Sequence, residues 1–154
     1  MTRSSALGLD HAGVLVADVP RALAFYRDVL GLEEVPRPTT ILKNPGAWLQ
    51  VGSQQLHLIG EAQSGRGRAM NRPYDDEEIA MGYGNHVALV VGSLDEMLVR
   101  IRANGIEPSI PLARGDGVRR AFITDPDDHI VELMETGVEV TGDEPPLYGP
   151  GHST

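Results

Sequence analysis

The sequence predicts an α+β protein built from two βαβββ modules, and three observations carry that prediction. LDHAGVLVADV (9–19) and GNHVALVVGSL (84–94) repeat one pattern: a His one residue past an Asp or Asn, an apolar run, then a capping residue and a helix-like segment. His11 and His86 stand 75 positions apart, and the same offset lays QQLHLIGE (54–61) on HIVELMET (129–136), with Leu56 on Val131, Leu58 on Leu133, Ile59 on Met134 and His57 on Glu132. The helix ends echo as well, Leu30-Gly31-Leu32-Glu33 answering Asn104-Gly105-Ile106-Glu107 after a one-residue slip. So long a period exceeds a solenoid unit, which leaves a duplicated half-domain.

Each element follows from local chemistry. HAGVLVA is a short β-branched run and reads as a strand. Asp18 suits an N-cap, and Pro20 falls in the first turn, where its missing N–H costs nothing. Leu23, Tyr26 and Leu30 mark one helical stripe, and Gly31 fits the left-handed position that ends a helix. A strand around 33–36 would be confined to an edge by Pro36 and Pro38. AWLQV and QQLHLIG read as strands joined by a Gly-Ser turn at 52–53. In the second half NHVALVV is again a strand. Ser93 with Glu96 makes a capping box, Leu94, Leu98 and Ile101 form the buried stripe, and Gly105 ends the helix. RAFIT and HIVELME follow as strands around a DPDD turn, which Asp125 organises and in which Asp128 tolerates a left-handed backbone.

These elements give a single domain over 1–154, with module 1 at about 7–61 and module 2 at about 85–136. Between them, 62–84 is rich in Gly, Arg and acids and reads as a linker or lid, its Asp75-Asp76-Glu77-Glu78 run a solvated face. The tail 137–154 reads as extended. Hydrophobic content of 41% and charged content of 23% are ordinary for a soluble globular chain. No apolar run reaches the roughly 18 residues of a membrane span, and the N-terminus lacks a signal-peptide core. There is no cysteine, so disulfides and thiolate metal sites are excluded, and a cytoplasmic home is expected. A net charge of −9 argues against nucleic acid as a partner.

Strand parity then sorts the side chains. Leu56, Leu58, Val131 and Leu133 face the helices. His11, His57, His86 and Glu132 fall at matching places on the opposite faces. Three imidazoles and a carboxylate suit Zn²⁺, Ni²⁺, Co²⁺, Fe²⁺ or Mn²⁺. A lone histidine at a strand mouth would carry no such meaning; four groups at duplicated positions do. His129 has the opposite parity to Glu132 and belongs to the turn.

DHAGVLVADVPRALAFYRDVLGLE, QQLHLIGE, GNHVALVVGSLDEMLVRIRANGIE and FITDPDDHIVELME together resemble the vicinal oxygen chelate superfamily, the glyoxalase/bleomycin resistance protein/dioxygenase family, over most of residues 9–136. The resemblance implies curled mixed sheets forming a cup around a divalent metal, with ligands on the first and fourth strands of each module. Those positions hold His11, His57, His86 and Glu132. It also points Arg120 and Phe122 into the cup, Arg120 as a fork for an anionic group, with Trp48 and Gln50 as further walls. Related proteins dimerise, and in some of them each cup takes modules from two chains.

The implied activity is that of a metal-dependent lyase or isomerase of the glyoxalase-like group, acting on a small oxygenated substrate. Glu132 would serve as ligand and general base. The chain departs from glyoxalase I in carrying His57 where that enzyme has Glu. It also has Leu15 and Glu61 where bacterial glyoxalases grip glutathione with Arg and Asn. ARGDGVRRAF lacks the Ser- and Lys-bearing loop of fosfomycin-resistance proteins. Two alternatives stand beside this reading. One is an Fe(II) extradiol-type dioxygenase using two His and one carboxylate. The other is a non-catalytic protein that binds an aromatic or antibiotic ligand through Trp48, Phe122 and Tyr83.

Overall fold

Two copies of one strand order organise the chain. The computed structural model describes residues 6, 8–60, 74–82, 84–109, 112–113 and 117–138, which fall into two compact units, Met1–Met70 and Asn71–Thr154.

In the first unit β1 (His11–Val16), β2 (Glu33–Val35), β3 (Gly46–Val51) and β4 (Gln54–Gly60) form one sheet in the order β1-β4-β3-β2. β1 runs parallel to β4, and the other pairings are antiparallel. The parallel pair requires a crossover, which the helix supplies. As the sequence predicts, Asp18 caps that helix, accepting from the Arg21 amide at 2.9 Å, and Gly31 ends it at φ 81°. The helix itself differs from expectation. It begins as α1 (Val19–Leu23) and continues as a π-helical stretch over Ala24–Val29. The buried side chains are Ala22, Phe25, Tyr26, Val29 and Leu30, the broad stripe of a core-facing helix, whereas Leu23 of the expected stripe is only half-buried. The short β2 sits at the sheet edge, where Pro36 is harmless.

In the second unit β5 (His86–Val90), β6 (Leu112–Ala113), β7 (Val118–Thr124) and β8 (Ile130–Thr136) repeat the order as β5-β8-β7-β6. α3 (Leu94–Ala103) makes the crossover. Ser93 Oγ accepts from the Glu96 amide at 3.3 Å, and the Glu135 carboxylate on β8 takes the Leu94 amide at 3.1 Å. Helix and sheet are thereby joined at the first exposed N–H. Leu94, Leu98 and Ile101 are buried, as are Val131 and Leu133 beneath them. Each such side chain contributes about 1.5–3 kcal/mol. Asp125 organises the β7–β8 turn by accepting from the Asp127 and His129 amides at 2.8 and 2.9 Å, and Asp128 takes φ 65°.

The acidic run of the connecting segment is solvent-facing, as expected, and is also more regular than its composition suggests. It is the start of a helix, α2 (Asp76–Met81), with a reciprocal capping box between Asp75 and Glu78 at 2.8 and 3.0 Å. Helical periodicity is unreadable over so short a stretch, but the capping pattern was present in the sequence. Among the described residues no helix is long and apolar enough to cross a membrane. Residues 61–73, Tyr83 and the tail beyond Val138 lie outside the described residues.

Candidate functional site

The register places the polar residues of each module on one face of its sheet. In the first module Gly13 on β1 pairs with His57 on β4, and Trp48 on β3 lies directly across from His57. With alternating side chains, His11, His57, Trp48, Gln50 and Gln55 share the face turned away from α1. There the rings form a three-layer stack. His57 lies between Trp48, with centroids 4.1 Å apart and planes 2° from parallel, and His11, at 4.0 Å and 17°.

Hydrogen bonds fix the polarity of that stack. The Gln50 side-chain amide donates to the carbonyls of Gly52 and Gln54 at 2.8 and 3.0 Å, so Gln50 braces the β3–β4 turn with both N–H groups. Its Oε1 therefore faces Gln55 Nε2, at 3.4 Å, which turns the Gln55 oxygen toward His57 Nε2, at 2.9 Å. An amide oxygen only accepts, so His57 carries its proton on Nε2 and keeps its lone pair on Nδ1. Burial, then repulsion from His11, lowers the His57 pKa against a smaller opposing pull from Asp10. His11 is held from the other ring atom, its Nδ1 2.7 Å from the Asp10 carboxylate. A cavity of about 240 Å³ opens beside Trp48 and His57, walled by Ile41, Pro45 and Ile59 with Arg37 at its edge.

The second module sets its pair face to face. Ala88 on β5 pairs with Glu132 on β8, and Phe122 on β7 lies across from Glu132. Phe122 thus answers Trp48, as Glu132 answers His57. The Glu132 side chain is only 6% exposed, with Oε2 3.1 Å from His86 Nε2 and Oε1 3.5 Å from the Arg120 guanidinium. Arg120 also stands over the Phe122 ring at 5.4 Å, and its Nε is buried with no partner. His86 Nδ1 lies 2.9 Å from the Gly84 carbonyl. A carbonyl only accepts, so the ring carries a hydrogen on Nδ1 and turns Nε2 toward a carboxylate oxygen. Two acceptors at 3.1 Å need a proton or a cation between them. Two donors each about 2.1 Å from one ion at a right angle stand about 3.0 Å apart, so this pair fits a divalent metal.

Each module by itself therefore brings two of the four expected ligands together. Among the described residues no group of three or more His, Cys, Asp or Glu side chains is gathered at a common point. Sequence reading missed Gln55, which orients His57, and Gly84, which orients His86. Asp10 was visible as the residue before His11. In the second module the Gly84 carbonyl, not the preceding Asn85, faces the Nδ1 of His86. Glu61 and Tyr83 lie outside the described residues.

The model of the Glyoxalase/Bleomycin resistance protein/Dioxygenase superfamily matches residues 8–133. The chain belongs to this superfamily. It is 28% identical over 128 residues to the lactoylglutathione lyase of Salmonella typhimurium, covering 81% of this chain and 90% of that one. Among solved structures, a glyoxalase family protein from Bacillus anthracis superposes with TM-score 0.66 at 27% identity, over 88% of this chain and 99% of that one. A lactoylglutathione lyase from Agrobacterium tumefaciens gives 0.61 at 26%, over 85% and 95%. As in those superfamily relatives, the fold is a mixed α+β arrangement of two four-stranded sheets. The imidazole and carboxylate donors carried by its first and fourth strands suit a divalent cation.

Proposed function

We propose that the protein is a metal-dependent lyase or isomerase of the glyoxalase-like group, acting on a small oxygenated substrate. The observation that carries this reading is the His86–Glu132 pair, an imidazole nitrogen and a carboxylate oxygen 3.1 Å apart, a spacing that suits two ligands of one divalent ion. In the proposal His11, His57, His86 and Glu132 hold one divalent ion, within one chain or across a homodimer. His11 and His86 would bind through Nε2, since Asp10 and Gly84 occupy their Nδ1 atoms. His57 would bind through Nδ1, since Gln55 occupies Nε2. When bound, the ion supplies Lewis-acid polarisation of a substrate carbonyl.

The chain's own residues do the rest. Glu132 takes the proton from the carbon next to that carbonyl and returns it, a role general bases fill for about 10²–10⁴-fold in rate. Arg120, cationic and carrying an unmatched N–H, holds an anionic group of the substrate. Phe122 shields one side, and Trp48 lines the other module's pocket. Lactoylglutathione lyases among the relatives support proton abstraction as the chemistry. Leu15 stands where those enzymes would grip glutathione, which turns the reading toward a substrate other than a glutathione adduct.

The test is deuterium exchange. The protein loaded with Ni²⁺ or Zn²⁺ is incubated with α-hydroxycarbonyl compounds in D₂O. Label should enter the carbon beside the carbonyl with the wild type and fail to enter with Glu132→Gln. Equal incorporation with both proteins contradicts the assignment.

One observation favours a second reading. If Gln55 keeps His57 out of the ligand set, then His11, His86 and Glu132 make the two-His, one-carboxylate set that suits Fe(II) and leaves positions for substrate and O₂. Anaerobic loading with Fe(II) followed by a catechol panel separates the two, because oxygen uptake belongs only to the dioxygenase.

A further inference from the structure

One arginine of the first module carries a charge that no neighbouring acid answers. Arg27 pairs with Asp28, Arg119 with Asp95 and Arg120 with Glu132. Arg37, half-buried in the connection after β2, meets no carboxylate among the described residues. Its one hydrogen bond there runs from Nη1 to the Asn44 carbonyl at 2.9 Å, which leaves the other N–H groups of the guanidinium for a ligand. The chain has 22 acidic side chains to 13 basic ones, so this isolation reflects placement rather than composition.

The backbone holds Arg37 at the rim of the cavity beside Trp48. β3 starts at Gly46, where a Cβ would come 2.5 Å from the Leu58 carbonyl oxygen on β4 and 3.2 Å from Nη1 of Arg37. The first of these neighbours is backbone and cannot yield, so the strand can start there only with glycine, and the guanidinium lies across that bare stretch. The adjoining Pro45 is tied to β4 by the Gly60 amide, which donates to its carbonyl at 3.0 Å. Ile41, Pro45 and Ile59 make apolar walls, the stacked Trp48 and His57 make an aromatic one, and Arg37 sets a positive charge at the edge. The volume of about 240 Å³ falls short of the roughly 300–1,000 Å³ of pockets for drug-sized ligands. An apolar cavity of about 150 Å³ accepts benzene, so one ring with a small substituent fits.

We propose that the first module carries a ligand subsite of its own, for a ring-sized apolar carboxylate. The ring lies against Trp48 and the aliphatic walls, and the carboxylate takes the Arg37 fork, which matches its two oxygens with parallel N–H groups. An unpaired cation beside apolar walls is served by an anion that brings its own apolar body, since the pair then shields itself from water. Every group that forms the subsite belongs to the first module, so it stands apart from the metal reading above. It narrows the ligands of this face from small oxygenated compounds in general to aryl carboxylates and molecules of that shape.

Trp48 is the single tryptophan of the chain, so its emission reads this cavity directly. Metal-free protein is titrated, with a chelator present and at a pH well above the ordinary imidazole value of about 6.5, with benzoate, benzamide and acetate. Benzoate should change the emission saturably, benzamide should bind about 10–100-fold more weakly for want of the charge, and acetate should do nothing. Arg37→Gln should bring benzoate down to the benzamide level and leave benzamide where it was, which also shows the cavity intact. Ile41→Phe adds a ring to a half-buried wall, and should fill the cavity and remove the response to both. Equal affinities for benzoate and benzamide in the wild type, or no saturable response, overturn the proposal whether or not the variants fold. So does a folded Arg37→Gln that still prefers benzoate, or a folded Ile41→Phe that binds it undiminished. With the chelator present throughout, none of these outcomes depends on whether His11, His57, His86 and Glu132 hold an ion.

Discussion

In the first module the candidate ligands are layered ring on ring, whereas in the second an imidazole and a carboxylate meet head on. The strand orders are the same and the registers equivalent. What differs is the residue at each duplicated position. His57 stands where Glu132 stands, and Trp48 where Phe122 stands. A flat, neutral imidazole beside an indole stacks, and Gln55 can then claim its Nε2. A buried carboxylate cannot stack; it takes polar partners, and the nearest are the Arg120 guanidinium and the edge of His86. Duplication thus fixed where the side chains stand, and later substitution decided which half holds charge.

The comparison breaks most visibly at the paired aromatics. Phe122 is 1% exposed, so Phe122→Ala should cost about 3–5 kcal/mol in urea unfolding. Trp48→Ala should cost about 1–2 kcal/mol, since its ring is half-buried and loses mainly the His57 stack. Equal losses would mean that the two positions do equivalent work. The second contrast concerns metal affinity. Glu132→Gln removes the charged donor and should weaken divalent-ion binding by more than about 100-fold, whereas His57→Ala should weaken it by about 10-fold. Competition with a chelating dye ranks the two, and a reversed order would make the first module the principal half.

Smaller effects sharpen the account of the stack. Gln55→Leu should cost about 1 kcal/mol in stability and release His57 into a mixture of tautomers, visible in its ring nitrogen shifts. Least of all, His57 should leave a mark on pH dependence. Its folded pKa lies below the ordinary value of about 6.5, so the unfolded chain takes up that proton first. Its contribution is retained above that value and lost as pH falls through it toward the folded pKa. His57→Phe keeps a ring in the stack without the titration. Denaturation midpoints measured on either side of that value should therefore fall less for the variant than for the wild type.

Much of this was legible in the residues themselves. Apolar alternation, the caps at Asp18 and Ser93 and the Asp125 turn are local signals, and the structure follows them. The repeat located His57 and Glu132 on equivalent faces because parity survives duplication. The π-helical stretch was not legible, since Leu23, Tyr26 and Leu30 fit an ordinary helix equally well. Nor was the relay from Gln50 through Gln55 to His57, which depends on amide orientation across a turn, or the Gly84 carbonyl, which a sequence records only as a missing side chain. The partners that orient a ligand are set by packing, and a one-dimensional pattern carries little of that.

The account stands or falls on whether the two dissimilar pairs serve one ion. Calorimetric titration of the metal-free protein with Ni²⁺ or Zn²⁺ should give a single tight site per chain. That site should be lost both in His11→Ala, from the first module, and in His86→Ala, from the second. Full-strength binding that survives either substitution would mean that the pairs do not share a cation.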